Sequence, residues 1–119
     1  MTYKDALGKD NVIILATTCQ DQTPHAIYVV SEGIENSKLT IYDCMMDTTI
    51  KNLKQSPQVC IVAQTEKEYY RIKGTAHIIS SGAKLEDAIA SNTSSYKIKN
   101  IIEISIEEVF DLDKAKKIL

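Results

Sequence analysis

The stretch IYDCMMDTTIKNLKQSPQVCIV, residues 41–62, decides the fold because it holds a strand, a corner, a helix and a second strand. Ile50 and Leu53 repeat at a helical step, whereas the two ends of the stretch are continuously apolar. Pro57 disfavours the α conformation in the residue before it, so the helix must end there. We predict a helix from Thr48 to about Gln55 between two strands.

The sequence on both sides adds more strands than helices. The apolar and alternating segments predict six strands, at residues 11–19, 25–31, 39–43, 58–65, 69–80 and 101–109. Short helical segments are predicted at residues 3–9, 48–55 and 83–91, with a last helical turn in the tail after 109. Hairpin succession of short strands predicts a mainly β fold with short helices, in which one antiparallel sheet closes into a small barrel as a single domain over residues 1–119.

The strand at 69–80 has one apolar and one polar face. The apolar positions alternate along it as Tyr70, Ile72, Gly74, Ala76 and Ile78. A glycine in the middle of a strand predicts a bulge, a sharp bend or a close approach by another backbone. The last strand alternates in the same way, with Ile102, Ile104 and Ile106 predicted to face inward.

Composition excludes several classes of function. The chain has 119 residues, 44% of them hydrophobic, and a formal net charge of -2, which disfavours a dedicated nucleic-acid-binding protein. No apolar run approaches the roughly 20 residues that cross a bilayer. The N-terminal segment MTYKDALGKD has no signal-peptide pattern. We therefore expect a cytoplasmic protein without a nucleic-acid or membrane partner.

The cysteines and histidines predict neither a metal site nor a catalytic centre. Cys19, Cys44 and Cys60 match no zinc spacing, and we expect Cys60 to be a core residue and Cys44 an ordinary reduced thiol. His25 and His77 have no ligand partner at short spacing, and no phosphate-binding glycine loop or nucleophile elbow is present. We predict no catalytic residue and no metal ligand.

A basic strip formed by Arg71, Lys73 and His77 runs along the polar face of the strand at 69–80. Such a strip is most often solvated or paired with acids on a neighbouring strand, here Glu103 and Glu107. A phosphate-binding wall is the less common alternative.

The corner at Asp47, Thr48 and Thr49 allows two interpretations. A helix N-terminus presents unpaired N–H groups and a partial positive charge, which suit a phosphate. Asp47 also occupies the position of an N-cap, from which its carboxylate can accept those N–H groups and repel an anion. Lys51, one helical turn further, is a candidate cation.

Three segments together resemble the pyridoxamine 5′-phosphate oxidase-like family of FMN-binding split barrels. They are VIILATTCQDQTPHAIYVV, then LTIYDCMMDTTIKNLKQSPQVCIVA, then YYRIKGTAHII. The resemblance runs from about Asn11 to Ser80 and continues more weakly through IIEISIEEVFDLD.

This resemblance implies a six-stranded split barrel that forms a homodimer with FMN at the dimer interface. The flavin phosphate is expected at the start of the helix described above, and the isoalloxazine ring along the second and third strands. The phosphate-side candidates are Thr48, Thr49 and Asn52. The ring-side candidates are Tyr28, Val29, Val30, Asp43, Cys44 and Met45.

The sequence departs from the family pattern in three places. The lysine or arginine common at the start of the helix is replaced by the run Asp47 to Thr49. There is no tryptophan and Phe110 is the single phenylalanine, so Tyr28 and Tyr42 are the best local aromatic residues to cover a ring. The arginine and histidine that bind substrate near the C-terminus of the full oxidase have no counterpart, so oxidation of pyridoxamine phosphate is not expected.

Two functional hypotheses follow. The first is a small FMN-binding flavoprotein that acts as an oxidoreductase or electron-transfer protein, with the flavin at the dimer interface. The alternative is a cofactor-free split-barrel dimer that serves as a binding or structural module. Another flavin or a haem in the same groove stays open, without a sequence signal of its own.

Overall fold

A computed structural model describes residues 2–119. Three short helices are present, α1 (Tyr3–Ala6), α2 (Thr48–Gln55) and α3 (Ala83–Ser91). The strands, in chain order, are β1 (Val12–Thr18), β2 (Pro24–Val30), β3 (Ile34–Glu35), β4 (Lys38–Asp43), β5 (Gln58–Gln64), β6 (Tyr69–Ile79), β7 (Asn100–Asp111) and β8 (Lys116–Lys117). None of the helices among these residues has the length and apolar character needed to span a membrane.

All strands belong to one antiparallel sheet in the order β2-β1-β5-β6-β7-β4-β3, with β8 paired to β7. The mainly β architecture and the six long strands are confirmed. The sheet has eight strands rather than six, because β3 and β8 add two residues each.

The two additional strands arise from turns that the sequence pattern did not resolve. Asn36 and Ser37 have positive φ angles of 53° and 61°, which fold β3 back onto β4 as a two-residue hairpin. The predicted helical turn in the tail is wrong. Residues of the tail pair with β7 instead, and the N–H of Val109 donates to the carbonyl oxygen of Leu119 at 3.0 Å. This pairing provides hydrogen-bond partners for backbone groups at the end of β7, and a helical turn in the tail would not provide them.

The barrel is split on one side. β2 forms one edge of the sheet, and the β3–β4 hairpin forms the other. Within residues 2–119, no backbone ladder joins β2 to β3 or β4. The sheet therefore curls almost into a barrel but stays open between β2 and β4, and this opening positions the site described below.

The core fills the inside of the barrel with alternating side chains of every long strand. Fully buried residues include Leu15, Ile41, Ile61, Ile72, Ile102 and Ile104. The inward faces predicted for residues 69–80 and 101–109 are confirmed. Cys60 is a correction: it is half-buried, because it alternates with the buried Val59 and Ile61 and thus points to the outer face.

Gly74 lies at a β-bulge, since the register between β6 and β7 shifts between Lys73 and Gly74. A Cβ atom at this position would overlap the carbonyl oxygen of Ser105 and approach the side chain of Ile104 within 2.9 Å. The bulge and the close backbone approach predicted from the sequence are both present.

Replacing Gly74 by alanine is therefore expected to lower the free energy of unfolding by about 1–3 kcal/mol, because a backbone atom has to move to admit the methyl group. Urea denaturation followed by circular dichroism measures the change. His77→Ala, on the exposed face of the same strand, is the control, and equal stability of the two variants would contradict the expectation.

Candidate functional site

The corner between β4 and α2 is built around a buried carboxylate. Asp43 is 1% exposed. Its Oδ1 accepts a hydrogen bond from the backbone N–H of Met46 at 2.8 Å, and its Oδ2 accepts one from Asn100 Nδ2 at 2.7 Å. The N–H of Lys99 also donates to the Asp43 carbonyl oxygen at 2.8 Å. Asp43 thus fixes the path of the chain into the helix and ties it to the start of β7.

The first turn of α2 is not capped by Asp47. The Asp47 backbone has φ -116° and ψ -65°, an α-like conformation, and its side chain makes no capping hydrogen bond. A capping residue normally needs an extended backbone to bring its oxygen over the N–H groups. Its carboxylate instead lies 3.6 Å from Lys51 Nζ, and both side chains are exposed. Of the two interpretations of this corner, the side-chain cap is therefore wrong, and this carboxylate does not occupy the N–H groups of the first turn.

The inner face of α2 is locked to the barrel. Thr49 and Asn52 are 2% and 5% exposed. Asn52 Nδ2 donates a hydrogen bond to Thr17 Oγ1 at 2.9 Å and contacts Cys19 Sγ at 3.5 Å. Because a buried amide that loses its partner is costly, this contact fixes the rotation of the helix about its axis. Thr48 faces the exposed side.

A cavity of about 770 Å³ lies at the opening between β2 and β4, and we call it the ring-side cavity. Its volume falls within the roughly 300–1,000 Å³ typical of small-molecule sites. The residues that line it come from β2, from β4 and the turn after it, and from α3 and the segment that follows it: Ile27, Tyr28, Val29, Val30, Tyr42, Cys44, Met45, Met46, Ala88, Ser91, Asn92, Thr93, Ser94, Tyr96 and Ile98. Lys9, Asp10 and Glu32 also line it, and the first two are near enough to act on the pKa of Glu32, after the larger effect of burial.

Three ionisable groups of the ring-side cavity have raised pKa values. Burial is the main cause for Glu32, Tyr42 and Cys44 alike. The Glu32 carboxylate contributes to the raised pKa of both Tyr42 and Cys44, so its negative charge reaches both groups. A thiol with a raised pKa stays protonated at neutral pH and is a poor nucleophile, which agrees with the prediction that Cys44 is an ordinary thiol.

A second cavity, of about 640 Å³, lies beside α2, and we call it the helix-side cavity. It is lined by α2 and by the turn between β1 and β2, through Cys19, Gln20, Asp21, Thr23, Thr48, Lys51, Asn52, Lys54 and Gln55. Lys51 and Lys54 bring positive charge to this cavity. Asp21 is its one carboxylate among the lining residues, and it already accepts two hydrogen bonds from Thr23.

The structure separates the predicted site residues into three groups. Tyr28, Val29, Val30, Cys44 and Met45 line the ring-side cavity. Thr48 and Asn52 line the helix-side cavity. Asp43 and Thr49 line neither cavity and are buried in the corner between them.

Sequence reasoning missed one whole wall of the ring-side cavity. The segment between α3 and β7 contributes Tyr96 and three polar residues before it, and the end of α3 adds Ser91. Hydrogen bonds within this segment, such as Asn92 Nδ2 to the Tyr96 carbonyl oxygen at 2.6 Å, shape it into a compact turn. The one signal available was a tyrosine in an otherwise polar loop, and this signal does not reveal which element the loop approaches.

The basic strip on β6 contacts β7, as the more common interpretation predicts, but not through the predicted acids: Glu103 pairs with Lys38 and Lys84, and Glu107 accepts a hydrogen bond from Thr75. The Arg71 guanidinium lies 4.6 Å from the centroid of the Phe110 ring, and Lys73 Nζ lies 4.0 Å from Glu108. His77 lies opposite Glu103 in the ladder. Within residues 2–119, no group of histidine, cysteine and acidic side chains is arranged to hold a metal ion.

The open antiparallel sheet with a cavity at its gap defines a split β-barrel. The family model described as pyridoxamine 5′-phosphate oxidase matches residues 2–113, and the chain belongs to that family. An uncharacterized protein of Methanocaldococcus jannaschii is 27% identical over 113 residues, which is 87% of this chain and 74% of that protein.

Solved structures show the same fold. HupZ of Group A Streptococcus superposes with a TM-score of 0.83 at 20% identity, covering 98% of both chains. An FMN-binding protein of Syntrophomonas wolfei subsp. wolfei superposes with a TM-score of 0.76 at 14% identity, covering 92% of this chain and 82% of that one. At these identities the likeness concerns the fold.

Proposed function

We propose that this protein is a homodimeric flavoprotein that binds FMN and uses it as an oxidoreductase or electron-transfer protein. The observation that carries the proposal is the ring-side cavity. Five of the six residues that the family pattern assigns to the isoalloxazine ring line this one cavity, although they come from two separate places in the sequence, β2 and the turn after β4. One structural neighbour is an FMN-binding protein, which supports the same conclusion.

The ring-side cavity fits a flat, largely apolar ring. Val29 and Ile27 supply aliphatic surface, and Tyr28, Tyr42 and Tyr96 supply three aromatic side chains in a chain that lacks tryptophan. Tyrosine combines a ring face for stacking with a hydroxyl group for hydrogen bonding. Tyr96 thus compensates in part for the missing large aromatic residues.

The phosphate end fits as well, although it differs from the family pattern. The first turn of α2 keeps N–H groups that Asp47 does not cap, and these favour an anion. Lys51 and Lys54 lie on the same helix and line the helix-side cavity. They are the cations nearest in sequence to the helix start, where the family more often has a lysine or arginine.

The outer face of β1, β2 and β5 supports a dimer. Val12, Tyr28, Val30 and Val62 are 59%, 77%, 45% and 39% exposed, and the registers of β1 with β2 and β5 place them on one continuous face. Arg71 borders this face, and its Nε is buried without a hydrogen-bond partner among residues 2–119. Contiguous exposed apolar surface with an unpaired buried donor at its edge is typical of an interface. A second copy of this chain is the proposed occupant.

The flavin would supply the redox chemistry in this proposal, and the protein would bind and orient it. No side chain of the ring-side cavity needs to act as an acid, a base or a nucleophile. A protein that only binds and orients the flavin would need no catalytic motif, and we identified none in the sequence.

Titration of the chromophore-free protein with FMN, followed by flavin fluorescence and visible absorbance, tests the proposal. Saturable binding is expected, with riboflavin binding more weakly because it lacks the phosphate. No change in the flavin spectrum at any ratio would contradict the proposal and would favour the cofactor-free binding or structural module.

Asp47→Asn is expected to tighten FMN binding about two- to fivefold, because it removes a negative charge at the helix N-terminus and releases Lys51 from its ion pair. Asp87→Asn makes the same change in net charge on α3, at a residue that lines neither cavity, and is expected to leave the affinity unchanged. Fluorescence titration compares the two variants. Weaker binding by Asp47→Asn would show that this carboxylate assists FMN binding.

A further inference from the structure

One end of the ring-side cavity carries a carboxylate without a partner. Glu32 is half-buried, and among residues 2–119 its side chain has neither a hydrogen bond nor an ion pair within 4.0 Å. Its backbone is held firmly, because its N–H donates to the Thr40 carbonyl oxygen at 2.9 Å. Next to it, the buried Ser31 hydroxyl donates to the Leu7 carbonyl oxygen at 2.6 Å and accepts from the Gly33 N–H at 3.0 Å. The carboxylate is thus presented to the cavity from a rigid segment.

The charges around Glu32 leave this end of the cavity negative. Lys9 is the one cation and Asp10 the other carboxylate among the lining residues. Lys9 lowers the pKa of Glu32 and Asp10 raises it, so both act on the group from the segment before β1. From β4 and its end, Tyr42 and Cys44 face it as neutral groups with raised pKa values. An anion at this end would therefore meet net repulsion.

The walls next to this carboxylate are apolar and aromatic. Val30, two residues before Glu32, and Tyr28 line the same cavity from β2. Tyr42 lines it from β4 and is near enough for the Glu32 charge to raise its pKa, after the larger effect of burial. A carboxylate beside such walls recognises a ligand that joins a flat apolar body to a positively charged hydrogen-bond donor.

We propose that Glu32 makes this end of the ring-side cavity a subsite for a small organic cation, an amidinium, guanidinium or ammonium group carried on a planar apolar body. The inference rests on the proposed function in that it names the class of substrate or electron donor that would share the cavity with the flavin. Glu32 accepts the charged N–H donors, and the β2 side chains cover the apolar part.

Three isosteric probes test the charge preference: benzamidine as the cation, benzamide as the neutral analogue and benzoate as the anion. Each is titrated into 15N-labelled protein, with and without FMN, and the shifts of backbone amide signals give the affinities. The wild-type protein is expected to bind benzamidine about tenfold more tightly than benzamide, a factor typical of a charge-assisted hydrogen bond. Benzoate is expected to bind most weakly.

Glu32→Gln keeps the shape of the side chain and is expected to remove the preference for benzamidine. Glu32→Asp retains the charge and should keep most of the preference for benzamidine. It shows whether a substitution at this position disturbs the fold independently of the charge. Glu35→Gln makes the same charge change on the exposed strand β3, outside the cavity, and should bind like the wild type.

Equal binding of benzamidine and benzamide by the wild type, or an unchanged preference in Glu32→Gln, would overturn the proposal. A Glu32→Gln variant that loses FMN affinity but keeps its probe preference would assign Glu32 to the flavin and also overturn it. The probes are also titrated without FMN. If the protein does not bind FMN, the proposed function is contradicted, but the preference for benzamidine over benzamide can still be measured.

Discussion

Replacing Asp43 by alanine is expected to destabilise the corner before α2 and to abolish detectable FMN binding. The substitution leaves the Met46 N–H and the Asn100 amide without their acceptor. Each buried donor that loses its partner costs about 1–3 kcal/mol. Since Met45 and Met46 line the ring-side cavity and α2 begins two residues after Met46, a displaced corner would disturb both cavities.

Urea denaturation and FMN titration of the Asp43→Ala variant measure the two effects. Asp43→Asn is the matched control, because its amide oxygen can still accept one of the two hydrogen bonds and should preserve part of the stability. Wild-type stability and FMN affinity in Asp43→Ala would show that the corner does not depend on this carboxylate.

Replacing Val62 by lysine is expected to convert the dimer into monomers and to weaken FMN binding at least tenfold. Val62 lies on the β5 side of the apolar face, opposite Ile14 on β1 and beside the bordering Arg71 on β6. A lysine there would bring a second cation next to Arg71 in each copy, and burying both against the same surface is strongly unfavourable. In the monomer the lysine can remain in water, so the fold should persist.

Light scattering after size exclusion gives the mass of the Val62→Lys variant, and circular dichroism confirms its fold. Ser105→Lys adds the same charge at an exposed residue of β7, away from the apolar face, and should remain dimeric. A Val62→Lys protein that is still a dimer would place the interface elsewhere. A monomeric variant with full FMN affinity would place the flavin within one chain.

Sequence periodicity was sufficient for the barrel because burial on one face imposes a strict alternation on each strand. Residues 69–80 and 101–109 show this alternation over most of their length, and Gly74 marked the bulge between them. The two-residue strands β3 and β8 were not predictable in the same way. They are too short to show a period, and their pairing depends on turns with positive φ at Asn36, Ser37 and Ala115.

The candidate site was predictable only in part. The residues of β2 and of the segment after β4 could be assigned because they adjoin clear elements. The sequence could not decide whether Asp47 caps α2, because the residue type permits a cap, whereas its backbone conformation, which the sequence does not display, prevents one. The wall around Tyr96 could not be predicted, since its place depends on how the segment after α3 returns to β7 across the open side of the barrel.

The most direct test of FMN binding at the split of the barrel is the visible spectrum of the protein purified without added cofactor, followed by denaturation and identification of the released chromophore. The expected result is a yellow protein, or one made yellow by FMN, that carries one FMN per chain and releases it on unfolding. A protein that stays colourless after incubation with FMN and releases no flavin would contradict the proposed function.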